Sequence, residues 1–180
     1  MKRENGFTLT ELLVAMVIAG VVMAAVYSAY VSQQKAYKIT EEVSAIQQNL
    51  RAAMFFLERD IRMAGYDPTG TDLFGFQNIS SPNQETIQVT WDEDEDGLSG
   101  ATEYVLYKVE DNALKQDGGD GNDDIIAEAI TGVTFAFLTG TGTPTFVASN
   151  IRMVDITLTG QKGGHQRSLT SRIYCRNMGM

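Results

Sequence analysis

Two hydrophobic patterns follow each other along the first third of the chain. The run from Leu12 to Val31 contains no formal charge and is apolar at most positions. Twenty residues of helix span about 30 Å, which is the thickness of the hydrocarbon core of a bilayer. The run therefore predicts one membrane-spanning helix, which we place at residues 7–31.

Beyond this run the sequence turns polar, and apolar residues return at intervals of three or four. Such spacing predicts one stripe of an amphipathic helix over residues 32–65. The first stop signals are Gly65 and, just beyond it, Pro68. We therefore expect one continuous helix from Phe7 to Ala64. Its predicted stripe comprises Ile39, Val43, Ile46, Leu50, Ala53, Leu57, Ile61 and Ala64.

After Tyr66 the hydrophobic period changes to about two, as in half-buried β-strands. Gly-rich and Asp-rich turns separate the alternating segments. Strands that follow one helix predict an α+β fold, with an antiparallel sheet packed on the helix stripe. Residues 66–180 would then form a β-rich globular head. The predicted strands are Thr86–Trp91, Glu103–Val109, Val133–Phe137, Val154–Leu158 and Leu169–Cys175.

Composition limits the partners and the sources of stability. The net charge is −9, which disfavours a nucleic-acid surface. The single cysteine, Cys175, cannot form a disulfide within the chain and is interpreted as a small apolar strand residue. Stability must therefore come from packing. No cofactor is required, although a bound metal ion is possible.

The clearest candidate for a binding site in the sequence is an acidic segment. Residues 92–103 fit the twelve-position calcium loop at every consensus position. Gly97 permits the sharp turn, and water would fill the position of Gly100. Strands rather than helices flank the loop, so the alternative interpretation is a solvated acidic hairpin tip. The expected calcium ligands are Asp92, Asp94, Asp96, Leu98 (through its backbone carbonyl) and Glu103 (bidentate).

A second acidic segment and the only histidine are both interpreted as turns rather than as binding or catalytic sites. Gly118 to Ile125 matches one unit of a calcium β-roll repeat, but that architecture needs stacked copies, so we expect an acidic turn. The only histidine, His165, lies in a segment that predicts a flexible turn. No G-x-S-x-G, P-loop or H-E-x-x-H motif occurs. We therefore expect that the protein is not an enzyme.

The start of the apolar run carries a short motif, and Glu11 lies where a carboxylate is costly. Residues 6–12, GFTLTEL, resemble the processing site of type IV pilins and type II secretion pseudopilins. The resemblance implies that residues 1–6 are a leader and that a prepilin peptidase cuts between Gly6 and Phe7. It also implies that the new Phe7 amine is methylated and that Glu11 recruits the subunit into a growing fibre. The alternative is a plain signal anchor with a chance match.

The end of the predicted helix carries a second resemblance. Residues 47–66, which close on the sequence RMAGY, are similar to the PilW family of minor pilins, and so is the final segment, Arg172–Met178. This implies a minor pilin that takes part in initiation or tip assembly of a type IV pilus. The alternatives are a J-type minor pseudopilin of a type II secretion system, or a membrane-anchored calcium-binding or adhesive module.

The residues before the apolar run indicate its orientation. Lys2 and Arg3 predict a cytoplasmic N-terminus and hence a head outside the inner membrane. The resemblance implies an inner-membrane protein that moves to the pilus or cell surface on assembly. The partners it implies are other minor pilins, the major pilin, the prepilin peptidase and the inner-membrane assembly platform.

Overall fold

The computed structural model describes residues 7–71, 74–100 and 103–178. One helix, α1, runs from Leu9 to Met63, within two residues of the predicted bounds. The helix ends at the predicted stop signal, because Gly65 adopts a φ of 73°. The Gly65 N–H then donates to the carbonyl of Thr90 at 3.1 Å. The chain divides into two compact units between Glu41 and Glu42, and α1 contributes residues to each.

The described residues after α1 form nine strands and one short 3-10 helix, Ala148–Asn150. The strands are β1 (Gly75–Gln77), β2 (Asn83–Gln84), β3 (Ile87–Thr90), β4 (Tyr104–Glu110), β5 (Ala113–Asp117), β6 (Asp123–Glu128), β7 (Ile130–Leu138), β8 (Met153–Lys162) and β9 (His165–Tyr174).

These strands form two antiparallel sheets, in the orders β1-β3-β4-β5-β6 and β2-β7-β8-β9. The prediction of an α+β fold with antiparallel β-structure packed on the helix is confirmed, and the strands divide into two sheets rather than one. The chain changes sheets between β6 and β7, where Ala129 adopts a positive φ of 59°. That turn lets β7 pair with β2 and β8 instead of continuing the first sheet.

The five predicted strands correspond to β3, β4, β7, β8 and β9, whereas β1, β2, β5 and β6 were not predicted. The β4–β5 hairpin turns on Asp111 and Asn112, both with positive φ. An Asp-Asn pair tolerates this conformation, so it was a legible hairpin signal. The β6 strand begins inside the predicted acidic turn, and Asp123 there pairs with Lys108 of β4 at 2.8 Å.

The apolar stripe of α1 forms one side of the core. Its residues are buried from Ile46 onward, while Val43 is half-buried. The prediction is wrong at Ile39, which is 45 % exposed and lies outside the compact unit that holds the strands. The core cluster joins the stripe to both sheets through Ile87, Val89, Tyr107, Leu114, Phe135, Phe137, Ile156 and Leu158.

One close approach lies between α1 and β8. A Cβ added at Gly160 would lie 2.9 Å from Ile46 Cγ2 and 2.9 Å from the carbonyl oxygen of Ala129. Both distances are shorter than van der Waals contact. The absence of a side chain at Gly160 therefore lets the helix stripe lie against the strand.

The core contains one carboxylate on α1. Asp60 is 3 % exposed, and its Oδ2 accepts a hydrogen bond from the Tyr107 hydroxyl at 2.6 Å. Arg59 Nε donates to Asp60 Oδ1 at 2.6 Å. Burial and the neighbouring Asp60 carboxylate raise the pKa of Tyr107, so its hydroxyl remains a donor. The pair thus links α1 to β4 through a buried polar contact.

Strand β9 accounts for the positions of Cys175 and His165. Cys175 follows β9 directly and is 6 % exposed, and burial raises the pKa of its thiol to about 12. Its burial agrees with a small apolar residue, but the prediction that Cys175 belongs to the last strand is wrong, because β9 ends at Tyr174. His165 opens β9 and pairs with Lys162, so the turn itself is Gly163–Gly164. The flexible-turn prediction is therefore wrong for His165, because strand pairing continues up to the two glycines.

Candidate functional site

The first half of α1 exposes its apolar side chains. Every residue from Phe7 to Tyr30 is exposed, including Phe7 itself at 86 %. Among the described residues, α1 is the one helix that is long and apolar enough to cross a membrane. A continuous apolar surface of this length is costly in water, so either lipid or other apolar helices must cover it.

Glu11 caps the start of this helix. Its Oε2 accepts hydrogen bonds from the Thr8 backbone N–H at 2.9 Å and from the Thr8 hydroxyl at 2.8 Å. In return the Glu11 N–H donates to Thr8 Oγ1 at 3.3 Å. This reciprocal arrangement is a capping box, in which N-cap and N3 residues satisfy two free helix donors. The Thr8-x-x-Glu11 spacing is visible in the sequence, but the capping role of Glu11 was not predicted.

The cap uses only one of the two carboxylate oxygens. Glu11 Oε1 has no hydrogen-bond partner within the described ranges. The side chain lies on the same helix face as Val14 and Ile18. Gly6 and the rest of the predicted leader lie outside the described residues, so only the Phe7 side of the expected cleavage site is seen.

The acidic loop joins β3 to β4 and is tied to the end of α1. The Asp92 N–H donates to the Tyr66 carbonyl at 2.9 Å, and the Tyr66 hydroxyl donates to Glu95 Oε1 at 3.1 Å. Gly97 has a φ of 72°, and a Cβ there would lie 2.6 Å from Thr69 Oγ1. Glycine is therefore required at this position, both for the backbone conformation and for the close approach.

Four of the expected calcium ligands come together in this loop. Asp92, Asp94, Asp96 and Glu103 each offer one carboxylate oxygen, and these oxygens lie within 4.8 Å of one another. Two of the four are buried: Asp92 is 0 % exposed and Glu103 is 4 % exposed. The fifth expected ligand, Leu98, contributes its backbone N–H to Asp96 Oδ1 at 2.7 Å, while its side chain is exposed.

The loop backbone satisfies part of this carboxylate cluster. Gly97 N–H donates to Asp92 Oδ2 at 3.2 Å, and Glu93 N–H donates to Glu103 Oε1 at 3.1 Å. Glu103 Oε2 accepts from the Gly100 N–H. By contrast, Asp92 Oδ1 is buried and has no hydrogen-bond partner among the described residues.

Electrostatic repulsion within the cluster affects Asp94. A hydrogen bond from the Asp96 N–H acts to lower the pKa of Asp94. Desolvation and the other three carboxylates outweigh that bond, so the net effect is a raised pKa. No lysine or arginine within the described ranges forms an ion pair with any of the four carboxylates.

The second acidic stretch lies elsewhere. Asp120 accepts hydrogen bonds from the Asn122 backbone N–H and side-chain amide, at 2.9 and 3.0 Å, in the turn between β5 and β6. Within the described ranges, only the cluster of Asp92, Asp94, Asp96 and Glu103 brings three or more potential metal ligands together. The two acidic stretches therefore do not form one shared group.

Comparison with known families defines the class of protein. A family model for the prokaryotic N-terminal methylation motif matches residues 1–27. A second family model, described as prepilin peptidase-dependent protein B, matches residues 40–175, about three quarters of the chain. A search of curated proteins finds no match to this chain. The chain is thus a type IV pilin-like protein with a prepilin-type N-terminal motif. It belongs to the prepilin peptidase-dependent protein B family.

Proposed function

We propose that this protein is a PilW-like minor pilin, a non-catalytic subunit that takes part in initiation or tip assembly of a type IV pilus. The observation that supports this most is the first half of α1. There a fully exposed apolar surface begins with a carboxylate in its first turn. A fibre subunit needs such a surface twice, once for the lipid bilayer and once for neighbouring helices.

Processing would prepare this surface for assembly. A prepilin peptidase would cut between Gly6 and Phe7 and leave a methylated Phe7 amine one residue before the helix cap at Thr8. The methylation-motif match over residues 1–27 supports this step. Before cleavage, Lys2 and Arg3 would keep the N-terminus in the cytoplasm, so the chain would lie in the inner membrane with its head outside. The pilus assembly platform would then draw it into the fibre.

Glu11 would set the register of docking. One oxygen of its carboxylate holds the helix cap, and the other, Oε1, accepts no hydrogen bond within the described part of the chain. That oxygen would accept a bond from the Phe7 ammonium of a neighbouring subunit. In an apolar setting an unpaired charge costs several kcal/mol, so the docked register is favoured over a displaced one.

Substitutions at Glu11 and Thr8 test this docking role, because they distinguish the charge of Glu11 from its contribution to the helix cap. Glu11→Gln keeps a side chain that can complete the capping box but removes the charge. Thr8→Ala has the opposite effect, since it removes the hydroxyl partner and leaves the charge. We expect Glu11→Gln and Glu11→Ala to reduce incorporation into sheared pili about tenfold or more. Thr8→Ala should reduce it far less.

The measurement is the amount of chain in the sheared pilus fraction relative to the membrane fraction, by immunoblot. Equal membrane levels and normal leader cleavage in all three variants serve as the control. Wild-type incorporation of both Glu11 variants would contradict the docking role. If the wild-type chain instead occurred only in a secretion pseudopilus, the J-type pseudopilin alternative would replace the pilus assignment.

A further inference from the structure

We propose that the described part of the β3–β4 loop, residues 92–100 and 103, forms a calcium site that fastens the β-rich head to the C-terminal end of α1. The site is formed by carboxylates of Asp92, Asp94, Asp96 and Glu103, with the Leu98 carbonyl as a fifth ligand. The proposal does not depend on which machine the subunit joins.

The strongest evidence for a bound cation is the environment of the Asp92 side chain. This side chain is 0 % exposed, and its Oδ2 accepts a hydrogen bond from the Gly97 N–H. Its second oxygen, Oδ1, has no donor among the described residues. A buried carboxylate oxygen without a partner is strongly unfavourable. Since the side chain belongs to the cluster of four, a cation shared with the other three carboxylates would satisfy it.

The charge of the carboxylate cluster also favours a bound cation. The four carboxylates carry a formal charge of −4 within 4.8 Å, and no described lysine or arginine pairs with them. Glu103 is also buried, so water screens its repulsion with Asp92 only weakly. A divalent cation would convert this repulsion into attraction. If the loop were a solvated hairpin tip, the side chains of Asp92 and Glu103 would instead be exposed.

The number of oxygen ligands and the loop pattern favour calcium over magnesium. All the candidate ligands are oxygens, as hard cations require. Two oxygens on opposite sides of Ca²⁺, at about 2.3–2.6 Å each, are about 4.6–5.2 Å apart, so carboxylate oxygens within 4.8 Å of one another can share one ion. Magnesium demands shorter, near-octahedral contacts and keeps several waters. A twelve-residue loop with its glycine at position six and glutamate at position twelve supplies the larger, more flexible shell.

The contacts of the loop indicate what the ion does. Asp92 N–H bonds the Tyr66 carbonyl, and Gly97 lies against Thr69. Both partners belong to the segment that leaves α1. An ion that orders the loop would therefore stabilise the junction between the helix end and the first sheet. Its effect would be structural, on the stability of the head, with no catalytic step.

Calcium titration of the full-length chain, purified in detergent after chelator treatment, tests the proposal. Isothermal titration calorimetry should give one ion per chain, with a dissociation constant on the order of 0.1–1 mM, as in extracellular calcium modules. At about 10 mM CaCl₂ the melting temperature should rise by about 3–8 °C. The same concentration of MgCl₂, at matched ionic strength, should give a much smaller rise.

Exposed ligands make suitable variants because their replacement does not disturb the core. Asp94→Asn with Asp96→Asn should weaken calcium binding at least tenfold and remove the rise in melting temperature. Asp120→Asn, an exposed aspartate in the β5–β6 turn, is the matched control and should behave as wild type. Three results would each overturn the proposal: no calcium bound by the wild-type chain at 10 mM, undiminished binding by the double variant, or an equal response to magnesium.

Discussion

Asp60 and Glu11 are carboxylates on the same helix, and their surroundings differ. Asp60 is buried against the sheet and receives hydrogen bonds from Tyr107 and Arg59. Glu11 is exposed at the first turn, and among the described residues its carboxylate accepts hydrogen bonds only from Thr8. The sequence indicated a special role for Glu11 because its charge lies at the edge of an apolar run, within a motif that resembles a pilin processing site. It offered no such signal for Asp60, whose partner on β4 is 47 positions away.

Tyr107→Phe isolates the buried contact of Asp60. The variant keeps the ring and removes the hydroxyl, which leaves Asp60 Oδ2 without its closest donor. We expect a loss of about 1–3 kcal/mol in the free energy of unfolding, seen as a melting temperature several degrees lower. Tyr104→Phe on the same strand is the control, since its side chain is only half-buried and its hydroxyl makes no hydrogen bond with another described residue. Equal melting temperatures for the two variants would show that the contact contributes nothing.

At the scale of elements, the hydrophobic period predicted the helix and those strands whose residues alternate clearly. The 55-residue helix α1 was legible because both its apolar run and its stripe lack an internal proline. The strands β3, β4, β7, β8 and β9 alternate clearly. In contrast, β6 begins with two aspartates, and β1 and β2 are too short to show a period. Pairing with neighbouring strands, which a single sequence does not display, determines these elements.

The contact between α1 and β8 gives a prediction at this scale. Gly160→Val would force a side chain into Ile46 and the Ala129 carbonyl, so the helix stripe would have to move away from the strand. Overpacking of this kind costs about 1–3 kcal/mol, measurable as a lower melting temperature of the purified chain. Gly132→Val on β7 is the matched control, because a Cβ there meets nothing within 4 Å. A melting temperature for Gly160→Val equal to that of the control would mean that the approach is not tight.

At the scale of the whole molecule, the sequence motifs predicted the residues of the candidate site better than the contacts that hold the site in the fold. The carboxylates of the acidic loop were legible from their spacing alone, while calcium binding stays a prediction. The attachment of that loop to Tyr66 and Thr69 depends on chain folding over about 30 residues and was not predictable. Likewise, the N-terminal motif and helix end indicated a pilin-like protein, and the family match confirms that class. The PilW-like assignment and the pilus as its machine remain proposals.

The central claim is that the chain is cleaved between Gly6 and Phe7 and enters a pilus as a minor subunit. Mass spectrometry of the N-terminal peptide from sheared surface pili tests this most directly. The expected peptide begins at Phe7 and carries one methyl group on its amine. A chain that is missing from the pili, or that is present there with Met1 still attached, would contradict it.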